Sequence, residues 1–191
     1  MKYLISILFL MFSSAVLAQT FKPQTIGVSY FGETITHSGM KVFAEYNLFT
    51  KVKNKKKNSE KNVYHSILLT PSIAYFYHKN YQHAALGQFE VGYNRTSPNG
   101  NYWGFGVGVG YMRTFIPNVY ELSPTGNIES ISAGDNYFTN SYSFTIGKEI
   151  ARNSEHPFAF FIKPIFTQAR PSIMGTTPYF FLEIGTKIKL K

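Results

Sequence analysis

The stretch 102–113, YWGFGVGVGYMR, admits only one regular backbone conformation. Trp103, Phe105, Val107, Val109 and Tyr111 alternate strictly with Gly104, Gly106, Gly108, Gly110 and Met112. In a helix each of these glycines costs about 1 kcal/mol relative to alanine, and the period of two would scatter the large residues around the axis. In a strand the same order makes one large apolar face and one face that occupies almost no volume.

Seven further segments repeat the alternation: 25–34, 40–51, 63–78, 84–95, 140–149, 157–168 and 179–190. In 40–51, Val42, Ala44, Tyr46 and Leu48 oppose Lys41, Glu45 and Asn47. In 84–95, Phe89, Val91 and Tyr93 oppose Gln88, Glu90 and Asn94, and in 179–190, Phe180, Leu182, Ile184 and Ile188 oppose Glu183, Lys187 and Lys189. Pro71 inside the third segment predicts an edge, a bulge or a bend there. His37-Ser38-Gly39, Ser97-Pro98-Asn99-Gly100 and Asn153-Ser154-Glu155 supply turn chemistry between segments. Two connections are long: the basic run 52–62 and the apolar-acidic run 115–136.

The first residues read differently. Met1-Lys2, an apolar run over 3–12 and Val16-Leu17-Ala18 form a secretory signal with cleavage after Ala18. Residues 1–18 are therefore read as a signal peptide and 19–191 as one domain. The apolar run is too short to span a bilayer as a helix, which takes roughly 20 residues. The chain has no Cys, which excludes a thiolate zinc site and a disulfide framework.

An alternating sheet protein buries its apolar faces against each other or turns them to lipid. Eight segments of roughly ten residues have the length of tilted membrane-spanning strands. The faces opposite the aromatics carry Gly, Ser, Thr, Asn and a few charges, which suits a narrow lumen better than a water-facing surface. The 18 Phe and 14 Tyr, with only one Trp, are a heavy aromatic load, and Tyr30, Tyr46, Tyr93, Tyr102, Tyr111, Tyr142 and Tyr179 near segment ends suit an interfacial girdle. A mean hydropathy of −0.12 agrees with strands that are half polar. Over about 25–190 the pattern resembles the small eight-stranded outer-membrane β-barrels of Gram-negative bacteria. That resemblance implies an all-β chain forming a single antiparallel up-and-down transmembrane β-barrel of eight strands, in the outer membrane. The chain departs from it at Lys189-Leu190-Lys191, where such barrels carry an aromatic residue.

With the aromatic faces outward, Glu45, Glu90, Lys163, Glu183 and Lys187 collect in the lumen. Charges in so narrow an interior are expected to pair, because an unpaired one costs several kcal/mol. They are read as a structural salt-bridge plug. The glycine run has no strand-to-helix context and is read as packing, not as a phosphate loop. His65 and Ser66 are adjacent and so face opposite ways, His37 and His156 sit in turns, and His78 and His83 flank a tight connection across which they could meet. No catalytic residue, metal or cofactor is expected from this set.

Lys51, Lys53, Lys55, Lys56, Lys57 and Lys61 form the strongest charge feature, read as a solvated loop or as an electrostatic contact for lipid phosphates. Counting strands puts this loop on the side of the termini, the periplasmic side, and puts 115–136 outside. Tyr120, Glu121, Leu122, Ile128, Glu129 and Asp135 in that outer loop are the candidates for contact with a partner. The expected function is a non-enzymatic, monomeric outer-membrane barrel with a structural or adhesive role, surrounded by outer-membrane lipid and lipopolysaccharide. A protein partner at its extracellular loops fits this reading, and nucleic acid does not, despite a net charge of +9. Two other functions fit the pattern: a lipid A-modifying enzyme and a soluble periplasmic barrel holding an apolar ligand.

Overall fold

The structure is a computed structural model that describes residues 22–33, 38–54, 62–78, 82–122, 127–150, 157–171 and 175–190. The signal segment 1–18 and the loop residues Lys55, Lys56, Lys57 and Lys61 lie outside the described residues, as do His37 and His156. Nine strands run in chain order: β1 (Thr25–Gly32), β2 (Ser38–Asn54), β3 (Asn62–His78), β4 (Gln82–Thr96), β5 (Asn101–Leu122), β6 (Ile128–Ala133), β7 (Asn136–Ile150), β8 (Phe158–Arg170) and β9 (Thr177–Lys189). Eight of them close a ring in the order β1-β2-β3-β4-β5-β7-β8-β9, with every neighbouring pair antiparallel. The ring shuts between its first and last strands, from Thr25↔Lys189 to Gly32↔Leu182. Closure leaves no edge in the wall.

The β1–β9 register puts both ends of the ring on one rim, here the near end. The β2–β3, β4–β5 and β7–β8 connections share that rim. The β1–β2, β3–β4 and β8–β9 connections lie at the far end. So does β6, which stands outside the ring. β5 pairs with β4 as far as Phe115 and with β7 as far as Arg113, and beyond that it pairs only with β6. Residues expected to form an open loop therefore continue β5 as a two-stranded ribbon. Its register slips between Ile116 and Val119, beside Pro117, which has no amide hydrogen to give to a ladder.

Pro71 does not mark an edge. It pairs with Phe89 on β4, while the ladder to β2 is interrupted between Phe43↔Ser72 and Tyr46↔Leu69. The register shift lies at Leu48, between Asn47 and Phe49 on the partner strand. Pro164 does the same in β8, pairing with Leu182 while the β7 ladder skips from Ser143↔Ile165 to Ile146↔Ile162. One missing bond on one side is tolerated because the closed ring holds the other side.

Side-chain direction settles what the barrel is built for. Phe105, Val107, Val109 and Tyr111 are exposed on the outside of β5, and Gly104, Gly106 and Gly108 are buried inside it. The neighbouring strands agree, with Phe89, Tyr142, Ile162 and Phe180 outside and Glu90, Ser141, Lys163 and Glu183 inside. A sheet with its apolar face outward and its polar face enclosed is inverted relative to a water-soluble protein and matches a hydrocarbon solvent. Along β3 the outer face runs from Tyr75 to His65, ten residues. At about 3.3 Å per residue and a tilt near 40° this gives a band of about 25 Å. Two of the tyrosines expected in the girdle, Tyr102 and Tyr179, are buried in the lumen, because their parity is that of Gly104 and Phe181.

Candidate functional site

The lumen is filled in layers. At its middle lies a charged belt. Lys163 Nζ donates to Glu90 Oε1 at 2.8 Å, and Ser143 Oγ donates to Glu90 Oε2 at 3.0 Å. Lys41 Nζ donates to Glu183 Oε2 at 3.0 Å, and Ser29 Oγ donates to Glu183 Oε1 at 2.8 Å. Closer to the near end, Lys187 Nζ donates to both oxygens of Glu45 at 2.7 and 2.9 Å. At the rim, Lys189 reaches Glu149 at 2.8 Å. The carboxylates of the barrel wall, Glu45, Glu90, Glu149 and Glu183, all point inward, and each meets a lysine. The five expected lumen residues are thus in the lumen, together with three that sequence reasoning left out: Lys41, which pairs with Glu183, and Glu149 and Lys189, which pair with each other. Lys41 had the signal needed, since it shares the parity of Glu45 on β2.

The glycines of β5 explain how this belt fits. Glu90 on β4 reaches Ser143 on β7, and Gln88 on β4 reaches Ser141 on β7, each passing over β5, which lies between them. A Cβ at Gly106 would sit 2.5 Å from Glu90 Oε1 and 2.6 Å from Ser143 Oγ, and one at Gly108 would sit 2.5 Å from both Gln88 Nε2 and Ser141 Oγ. The run GFGVGVG therefore holds open the floor under two polar bridges.

On the far side of the belt sits an aromatic plug. Phe31 stacks on Phe181 with ring centroids 4.5 Å apart, Phe76 meets Phe181 at 5.3 Å, and Tyr179 stacks on Phe181 at 5.7 Å. Leu86, Met112 and Ile165 complete this cluster. Phe31 is 1% exposed and Phe76 0%, so the rings are packed against one another without contact with solvent. The Lys41 ammonium lies 5.4 Å from the Phe31 ring centre, which joins belt to plug. On the near side, Asn47, Thr50, Tyr64, Ser66, Asn94 and Thr96 line a cavity of about 440 Å³ whose inner wall carries Glu45 and Lys187. The lumen is a polar cup, blind at the aromatic plug.

The histidines do not converge. His65 Nδ1 lies 2.6 Å from the Tyr93 hydroxyl, outside the barrel toward the near rim, and His83 Nδ1 lies 2.8 Å from the Tyr75 hydroxyl, outside at the far rim. Ser66 faces the cavity and contacts Thr50 at 2.9 Å. His78 pairs in register with Gln82 and His83 with Tyr77, so the two histidines face opposite sides of the wall and do not meet. Among the described residues no three His, Asp or Glu side chains gather around a point.

Lys51 and Lys53 are exposed at the near end of β2. At the other end, the β5–β6 ribbon carries Tyr120, Glu121 and Leu122 exposed on β5 and Ile128 exposed on β6, with Leu122 opposite Ile128 and Glu121 opposite Glu129 in register. Leu122 and Ile128 are each 74% exposed. Asp135 belongs to the base of the ribbon, not its tip. Its carbonyl accepts the Thr114 amide at 2.9 Å, its amide donates to Thr114 Oγ1 at 2.9 Å, and its carboxylate accepts the Tyr137 hydroxyl at 3.4 Å.

A closed antiparallel ring, a band of exposed apolar side chains and an enclosed polar interior define a transmembrane β-barrel. Among solved structures, the chain is similar to Neisserial surface protein A, with a TM-score of 0.46 and 5% identity, covering 87% of this chain and 93% of that one. It is also similar to the N-terminal β-barrel domain of Pseudomonas aeruginosa OprF, with a TM-score of 0.42 and 10% identity over 88% of this chain and 98% of that one. The beta domain of the Bordetella autotransporter BrkA gives a TM-score of 0.41 and 11% identity, covering 86% and 67%. No protein-family model matches the chain, and no curated protein does.

Proposed function

We propose that this chain is an exported, monomeric, non-enzymatic barrel of the Gram-negative outer membrane that presents the β5–β6 ribbon to a partner outside the cell. The observation that carries the reading is the asymmetry of the two ends. One end holds an aromatic plug and a projecting ribbon whose outermost described pair, Leu122 and Ile128, is apolar. The other holds the first and last residues of the ring, Thr25 and Lys189, and a polar cup. A blind lumen supports a structural barrel over a conduit. The ribbon continues β5 for about 20 Å past the ring at 3.3 Å per residue. An isolated two-stranded ribbon is only marginally stable in water. With Leu122 and Ile128 paired and exposed beyond the ring, it offers the kind of surface that a partner protein covers.

Two measurements test this. Expressed with residues 1–18 and recovered from outer membranes, the protein is expected to run faster on a detergent gel unheated than boiled, since a closed barrel stays compact in detergent. Recovery from the soluble fraction with no mobility difference would remove the membrane reading. Because the chain has no Cys, single cysteines report sidedness cleanly. On intact cells a membrane-impermeant maleimide is expected to label Leu122→Cys and to spare Lys53→Cys until the cells are lysed. The reverse pattern would put the ribbon in the periplasm and end its role as an outward-facing element.

A further inference from the structure

We propose that the outer wall over β5, β7, β8 and β9 holds an anionic glycerophospholipid at the near rim, with its acyl chain in an apolar groove and its phosphate against Lys148 and Arg95. This rests on the membrane reading above and adds a specific lipid to it.

The groove has a volume of about 1020 Å³ and lies between Phe105 and Phe144 on one side and Phe160, Ile162 and Ile184 on the other. From Lys148 to Phe144 along β7 it runs about 13 Å at 3.3 Å per residue. Its near-end mouth is polar, formed by Ser97, Asn101 and Lys148. Lys148 is exposed there and pairs in register with Asn101 on one side and Phe160 on the other. Trp103 borders the same mouth, and the Arg95 guanidinium lies 6.0 Å from its ring centre. Arg95 stands opposite Trp103 in register, one strand further round. A cation on each side of a rim tryptophan, at the end of an apolar trough, is the arrangement a phosphate above a hydrocarbon chain requires.

Charge singles this groove out. A second trough on the outer wall, about 720 Å³ and lined by Ile26, Val28, Val42, Ile73, Phe89 and Ile188, has no charged residue in its lining. The carboxylates of the wall all face the lumen, so among the described residues none stands on the outer face beside Lys148. The neighbouring Glu149 points inward to Lys189.

The test is native mass spectrometry of the full chain, extracted in detergent and mixed with equimolar dioleoyl phosphatidylglycerol and dioleoyl phosphatidylcholine. Several-fold greater retention of phosphatidylglycerol is expected. The preference should be lost in Lys148→Gln/Arg95→Gln and kept in Arg113→Gln/Arg170→Gln, whose cations sit at the far rim. Equal retention of the two lipids, or an unchanged preference in Lys148→Gln/Arg95→Gln, overturns the proposal. So does displacement of phosphatidylglycerol by lipid A at equal concentration, which would assign the groove to a different lipid. Each variant is first checked for its mobility difference on heating. If the double variant lacks it, Lys148→Gln alone decides. A wild-type protein that keeps that difference but shows no lipid preference refutes the lipid site and leaves the barrel standing.

Discussion

Lys163→Met is expected to lower the stability of the barrel by about 3–5 kcal/mol, the loss typical when one member of a buried ion pair is removed and the other stays charged. Lys163 and Glu90 are both buried, and they meet at 2.8 Å across a lumen sealed on its far side by phenyl rings. With Lys163 gone, Glu90 keeps the Ser143 hydroxyl but loses its cation, and the carboxylate has no path to bulk water on the far side. The double variant Glu90→Gln/Lys163→Met should recover most of the loss, because an uncharged amide still accepts from Ser143 and leaves no lone charge. Lys189→Met gives the reference. Lys189 sits at the rim with its side chain 49% exposed, and pairs of that kind contribute about 0–1 kcal/mol. Urea midpoints of the three variants, read from the fraction that keeps its heat-dependent mobility, separate these outcomes. A Lys163→Met midpoint equal to that of Lys189→Met would mean that water reaches the belt and that the pair does not hold the barrel together.

Much of the fold was legible because the period of two survives in every wall strand. The eight segments read from alternation all fall within strands of the ring, displaced at their ends by a few residues. The outward face of β5 followed from Phe105, Val107 and Val109 opposing three glycines. What alternation could not give is what lies across a strand. The glycine run reads as missing volume, and only the placement of Gln88 and Glu90 against Ser141 and Ser143 shows that the space is spanned by polar bridges. The β5–β6 ribbon escaped because Pro117 and the slip at Ile116–Val119 break the period where the strand leaves its barrel neighbours. Tyr102 and Tyr179 show the limit of composition. Tyrosine near a strand end suggests an interface, but parity sends these two into the lumen, where Lys187 lies 4.7 Å from the Tyr102 ring centre.

Removing the aromatic plug should turn a silent barrel into a leaky one. An eight-stranded barrel has an interior barely wide enough for its own side chains, so closure depends on which side chains fill it. Here three layers do so in series: Phe31, Phe76 and Phe181 in the far half, the Lys41–Glu183 and Lys163–Glu90 pairs at the middle, and Phe43 against Phe161 on the near side of those pairs. The rings close by exclusion, since they are fully buried against one another and offer water no hydrogen bond. The ion pairs close by occupancy, and hydrated pairs can shift where packed phenyl rings cannot. In planar bilayers the wild-type protein is expected to show no channel events, and Phe31→Ala/Phe76→Ala/Phe181→Ala to show small discrete openings. Thr114, Thr139 and Thr167, all buried in the far half, supply hydroxyls that let water replace the lost rings. Each truncation of a buried Phe costs about 3–5 kcal/mol in a dry core, so the triple variant is accepted only if it retains its heat-dependent mobility. A folded triple variant that stays silent would move the seal to the charged belt. Adding Glu90→Gln/Lys163→Met to it should then open the lumen, whereas continued silence would place the barrier at Phe43 and Phe161.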